Sequence, residues 1–166
     1  MRLTLLALAA ALERVGRPVI FTAPNPDMGG REIDAVIHDY IKRVGNAVRV
    51  ETLGTRNYFG VLRHAAAVVG NSSSALIEAP AFKLPAVNIG RRQEGRTRAA
   101  NVIDAPCETA AIAAAIERAI SPDFRRSLDG LENPYGSGGA AQRIVETLRS
   151  VALDERLRSK RFHDIG

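Results

Sequence analysis

At 166 residues, with 46% hydrophobic and 25% charged positions, the chain has the length and balance of one soluble globular domain with a full core. Its net charge of +5 fits nucleic acid and a diphosphate ligand equally, but five Phe, three Tyr and no Trp argue against stacking on single-stranded nucleic acid. One cysteine, Cys107, gives no intrachain disulfide and is compatible with a reducing cytoplasm, and with three scattered histidines (His38, His64, His163) it makes no zinc pattern.

The chain opens MRLTLLALAAALERVG, a basic residue and an apolar run like the centre of a secretory signal. The run is too short to span a membrane. A glycine and the β-prone stretch Gly16 to Ala23 follow at the distance expected for a helix entering a sheet. Leu3–Val15 therefore reads as a core-packing helix, and Pro18–Ala23 as a strand. A loop, Pro24 to Gly30, precedes a helix over Arg31–Val44. The strand Ala47–Val50 is followed by a helix near Asn57–His64, the strand Ala66–Val69 by a helix over Ala75–Phe82. Ala86–Ile89 and Asn101–Ile103 are further strands. The alanine-rich helix Glu108–Ile120 and a helix from Pro122 to Leu128 come next. The loop Glu132–Gly139 leads to a last helix, Ala140–Val151, and the basic tail RLRSKR reads as a solvated helix end.

Strands alternate with helices, and the strands are short apolar runs, as they are when both faces are covered. The expected fold is α/β: a three-layer αβα sandwich with a Rossmann-like, mainly parallel sheet, as a single domain over residues 1–166. Such a domain usually opens with a strand, whereas this chain opens with a helix. Either the arrangement is a natural variant, or a strand and its loop belong upstream.

The stretch VVGNSSSALIEAPAFKLPAVNIGRRQEGRTR, from Val68 to Arg98, concentrates the chemistry. Asn71, Ser72, Ser73 and Ser74 form a hydroxyl-rich turn into a helix start, which suits a phosphate. One serine there is an ordinary cap, but three exceed what a cap requires. With Ser74 as the cap, Glu78 stands one turn on and outside the capping-box position. A carboxylate there repels phosphate and suits a ribose diol instead, against the alternative of an exposed helix charge. Arg91, Arg92, Arg96 and Arg98 follow the next strand and can neutralise a diphosphate, some of them being free to pair with Glu94. In an open parallel sheet both strand ends lie on one edge, where ligands bind. Asn25 and Asp27 follow the strand Pro18–Ala23 onto the same edge, where turn chemistry competes with ligand contact. The glycines of NPYGSGG allow close backbone approach, or simply a flexible connector. No Ser-His-Asp order and no clearly spaced carboxylate pair builds a catalytic set, so no catalytic residue, cofactor or metal is assigned.

The segment GNSSSALIEAPAFKLPAVNIGRRQEGR, Gly70 to Arg96, resembles the signature of UDP-N-acetylglucosamine 2-epimerases, closest to the hydrolysing type that makes N-acetylmannosamine for sialic acid synthesis. FTAPNPD and NPYGSGGAAQRIVETL resemble two further blocks of that family, in the right order. Ser137 and Gly139 depart from it, where the family usually carries Asp and Asn. The resemblance implies a two-domain fold of the glycosyltransferase-B type, of which this chain is similar to the C-terminal half. It implies that Ser72, Ser73 and Glu78 contact the UDP phosphates and ribose, that Arg92 contacts the diphosphate, and that Asn25 and the backbone near Leu53 contact the uridine region. Ser74, the last hydroxyl of the turn, joins this UDP-binding set.

The family reaction removes the C2 proton, expels UDP and hydrates the resulting glycal. The resemblance places its proton-transfer carboxylates and a histidine in the N-terminal half, so the isolated chain is expected to hold the leaving group without turning over. The expected partners are UDP or a UDP-sugar and the missing N-terminal domain, with no nucleic acid and no membrane, in the cytoplasm. Two other readings stand beside this one: the nucleotide domain of a glycosyltransferase of the same fold, and a degenerate half-domain whose bare cleft face associates into a homo-oligomer.

Overall fold

Helices and strands alternate along residues 2–23 and 30–159, which this computed structural model describes. They fall into two compact units, one extending through Tyr135 and the other beginning at Gly136. The first contains α1 (Arg2–Val15), β1 (Val19–Thr22), α2 (Gly30–Val44), β2 (Ala47–Val50), α3 (Gly54–His64), β3 (Val68–Gly70), α4 (Ser74–Ile77), β4 (Ala86–Ile89), β5 (Val102–Ala105), α5 (Thr109–Ile120) and α6 (Pro122–Ser127). The second contains α7 (Ala140–Ser150) and α8 (Glu155–Arg158).

All strand pairs are parallel, as the alternation predicts. They form two sheets rather than one: β1 pairs with β2, and β3, β4 and β5 pair in that order. Layering follows from the two-residue period of the strands. Val87 and Ile89 of β4, with Val19 and Phe21 of β1, point into the core beneath α1 and α5. Ala86 points the other way, onto Ala75 and Leu76 of α4. All four residues of β4 are buried, the signature of a strand covered on both faces.

The opening helix is a core element. Ala9, Ala11 and Leu12 are buried in the same cluster as Ile112 and Ile116 of α5. It ends because Gly16 adopts φ 67°, which only glycine tolerates cheaply, and donates its N–H to the Leu12 carbonyl at 3.0 Å. Arg43 of α2 ties back to α1 through Glu13 at 2.9 Å. Among the described residues no helix is long and apolar enough to cross a membrane.

Tyr40 of α2 is buried, its ring edge-on to Phe21 with centroids 5.4 Å apart. Its hydroxyl has no hydrogen-bond partner among the described residues. Burial, and secondarily the Glu13 carboxylate, pushes that hydroxyl above its ordinary value of 10.0. The neutral phenol is thus favoured in the fold. Its contribution is fully present below about pH 10 and is lost as pH rises through the folded value. Tyr40→Phe should match or exceed the parent's stability at pH 7 by up to about 1 kcal/mol, and should flatten the alkaline loss. Urea denaturation on both sides of pH 10 measures both effects.

Candidate functional site

β3 ends at Gly70, and the chain turns through Asn71, Ser72 and Ser73 into α4. Ser73 occupies the N-cap without a side-chain cap bond, so Ser74 is the first helical residue and not the cap expected from sequence. Ser72 Oγ accepts from the backbone N–H of Ser74 at 3.3 Å, which shapes the turn. Ser74 Oγ is hydrogen-bonded to the Tyr58 hydroxyl of α3. The Ser73 hydroxyl has no such commitment among the described residues.

The helix expected over Ala75–Phe82 is interrupted. α4 makes one turn, then Glu78 joins it to a 3-10 turn over Ala79–Phe82, closed by Lys83 at φ 49°. Pro80 is the cause: it has no N–H to continue an α-helix, and its ring crowds the carbonyl four residues back. The single turn still closes, since the Glu78 N–H donates to the Ser74 carbonyl at 3.0 Å. Glu78 Oε2 is buried and meets no hydrogen-bond partner among the described residues.

β4 lies beside β3 with Gly70 level with Asn88, so both loops leave the same sheet edge, as the parallel reading requires. Gly90 opens the second loop at φ 72°, where an added Cβ would sit 3.2 Å from Cys107 Sγ. The four arginines then separate by role. Arg91 grips Glu94 through Nε at 2.8 Å, and Arg98 pairs with Asp104. Arg92 is exposed and makes no ion pair among the described residues, and the same holds for Arg96. Asn88, Gly90, Arg91, Glu94, Arg98 and Asp104 border a cavity of about 310 Å³.

Gln93 was not singled out by sequence, yet it joins the two loops. It is buried, and its Nε2 donates to the Asn71 carbonyl at 2.7 Å. A third segment is fastened to both. Asn133 donates to the Ile77 carbonyl at 3.1 Å, and the Tyr135 hydroxyl donates to the Thr97 carbonyl at 2.8 Å. Leu53, half-buried at the N-cap of α3, lines a cavity of about 850 Å³ together with Tyr58 and Ser72.

The fold therefore places Ser72, Ser73 and Ser74 at the start of α4 and Glu78 at its end. It ties the Arg92 loop to them through Gln93, and it places Leu53 on a cavity shared with Ser72. Asn25, with Asp27, lies outside the described residues. Tyr58 was also passed over, because a lone aromatic on a helix carries no signal until its partner across the fold is known. Among the described residues no group of three or more His, Cys, Asp and Glu side chains gathers to hold a metal ion.

Residues 2–149 match the family model described as UDP-N-acetylglucosamine 2-epimerase. The chain belongs to the UDP-N-acetylglucosamine 2-epimerase family. Over 149 residues it is 36% identical to a GDP/UDP-N,N'-diacetylbacillosamine 2-epimerase (hydrolyzing) of Campylobacter jejuni, covering 89% of this chain and 38% of that one. It is 27% identical to a UDP-N-acetylglucosamine 2-epimerase of Neisseria meningitidis, covering 94% of this chain and 41% of the relative. The crystal structure of a Neisseria meningitidis UDP-GlcNAc 2-epimerase bound to UDP-GlcNAc matches with a TM-score of 0.67 at 19% identity, over 91% of this chain and 41% of its own. That likeness establishes the fold, a Rossmann-like part of the glycosyltransferase-B type. This chain thus spans about two fifths of the length of these family members.

The Gln93 bond is the test of how the site is held. Gln93→Leu leaves the Asn71 carbonyl without its donor and should cost about 1–3 kcal/mol. Denaturant unfolding at neutral pH measures the loss, and a variant as stable as the parent would show that the two loops hold their places independently.

Proposed function

We propose that this chain binds the UDP portion of a nucleotide sugar at the edge where β3 and β4 end. The observation that carries this reading is Glu78 Oε2, a buried carboxylate oxygen without a donor among the described residues, one helical turn from Ser74. Such an oxygen is costly to leave unpaired. The vicinal hydroxyls of a ribose supply the missing donors, while a phosphate would be repelled. Ser72, Ser73 and Ser74 then face the phosphates, and Arg92 supplies their countercharge. By the family resemblance, Asn25 and the backbone near Leu53 are assigned to the uridine region. Because α4 is a single turn, its dipole adds little. Hydroxyls and a guanidinium carry the anion instead.

In the complete enzyme this site serves the hydrolysing reaction. The C2 proton is removed, a C1–C2 double bond forms as the C1–O bond to UDP breaks, and water adds to the glycal to release N-acetylmannosamine. Charge that develops on the departing diphosphate is stabilised by Arg92 and the serine turn. The groups that move protons come from a second domain, supplied by the remaining length that relatives carry. Two relatives are named as hydrolysing 2-epimerases, which supports this outcome, and both names give N,N'-diacetylbacillosamine as the sugar. The isolated chain then binds UDP without turnover, and the lone Cys107 fits a cytoplasmic setting.

Calorimetry with UDP tests the site. Arg92→Ala should weaken binding roughly tenfold or more, the worth of a charged hydrogen bond, with Ser72→Ala milder. The parent should prefer UDP over its 2',3'-dideoxy analogue, and Glu78→Ala should abolish that preference. Absence of heat at millimolar UDP would remove the proposal.

A further inference from the structure

β4 is buried on both faces, and Asn88 is its one polar residue, 1% exposed beside Ala86, Val87 and Ile89. A polar side chain costs stability in such a place. The cost is not fully offset, since Asn88 Oδ1 has no hydrogen-bond partner among the described residues. What the amide does is hold a carboxylate. Asn88 stands level with Asp104 of β5, and its Nδ2 donates to Asp104 Oδ1 at 2.7 Å.

The other oxygen of Asp104 accepts from Arg98 Nη1. Arg98 is forked, and its second arm, Nη2, donates to the Gln93 carbonyl at 3.2 Å. That carbonyl also accepts the Arg96 N–H at 3.3 Å. The Gln93 side chain is already tied to the Asn71 carbonyl, so Gln93 is held through both its backbone and its side chain. Arg92 precedes it, and the two sit in the middle of a turn closed by the Glu94 N–H on the Arg91 carbonyl at 3.0 Å. Arg92 is exposed and makes no ion pair among the described residues, so its place is set through the backbone of this turn. Asn88, Asp104, Arg98 and Gln93 thus form a continuous brace from the sheet to the residue beside Arg92.

We propose that Asp104 is a positioning residue for diphosphate binding, acting through Arg98 and the Gln93 carbonyl to set the turn that presents Arg92; this rests on the UDP reading above. Direct contact of Asp104 with the diphosphate is unfavourable, since both carry negative charge. The brace and simple charge counting give opposite signs for one substitution. Asp104→Asn removes a negative charge near the site, and Coulomb attraction alone then strengthens UDP binding. A carboxamide, however, keeps one acceptor and turns an NH2 group against the second donor. One end of the brace is lost, and binding weakens. Arg98→Lys keeps the charge and loses the fork, because an ammonium does not replace a planar guanidinium that spans a carboxylate and a carbonyl.

NMR titration of the chain with UDP, which follows affinities into the millimolar range, tests this. Asp104→Asn and Arg98→Lys should each weaken binding about threefold to tenfold. Asp123→Asn removes the same charge from the exposed Asp123–Arg126 pair of α6 and should leave binding within about twofold. Combined with Arg92→Ala, neither substitution in the brace should weaken binding by more than about a further twofold, because the residue it positions is gone. In ligand-free spectra both variants should move the Arg92 and Gln93 amides and leave Ile112 and Ala113, in the core of α5, in place. If Asp104→Asn does not fold, Arg98→Lys decides. Binding that is unchanged or tighter in the variants would overturn the proposal, and so would a loss of the same size with Arg92→Ala present. A parent that binds no UDP removes the proposed function together with this inference, whereas a parent that binds, with both variants binding equally well, removes this inference alone.

Discussion

The parallel register of β3 against β4, with Gly70 level with Asn88, is the constraint on which the site depends. It sends the serine turn and the arginine loop, which follow consecutive strands, out of the same edge. Gln93 then fixes their spacing with one short bond to the Asn71 carbonyl, and Asn133 and Tyr135 fasten a third loop to both. None of these bonds is charged. The positive charge of the edge is left to residues that are not spent on holding the fold, since Arg91 and Arg98 have carboxylate partners while Arg92 has none among the described residues.

Pro80 has an effect beyond its own position. By limiting α4 to one turn it removes most of a helix dipole, which a phosphate site at a longer helix would use. It also brings Glu78 to the joint between two short helical pieces, where one carboxylate oxygen is buried. The proposed division of labour follows from this geometry. Hydroxyls and a guanidinium take the anion, and the carboxylate takes a neutral diol.

Much of the fold was legible because it is local. The bounds of β2 and β4 coincide with the apolar runs Ala47–Val50 and Ala86–Ile89, and α1 follows the apolar opening of the chain. The family was legible in Gly70 to Arg96, where residue types and spacing recur as a block. What escaped is non-local or turns on a single residue. Ser73, not Ser74, is the N-cap, a one-residue shift that the run of three serines hides. The helix from Ala75 was read through Pro80, although that residue's missing N–H forbids it. Gln93 and Tyr58 act through partners 22 and 16 residues away, and no spacing rule announces such pairs. The split between β1 and β3 depends on how five strands associate, which no single run of residues specifies.

The central claim is that one sheet edge holds UDP through the serine turn, Glu78 and Arg92. Backbone amide shifts recorded by NMR during a UDP titration test it most directly. The account predicts saturable shifts at Ser72, Ser73, Ser74, Glu78 and Arg92, with Ile112 and Ala113 in the core of α5 unmoved. Saturable shifts confined to the cavity beside Asn88 and Asp104, or to α7, with the serine turn unmoved, would contradict it.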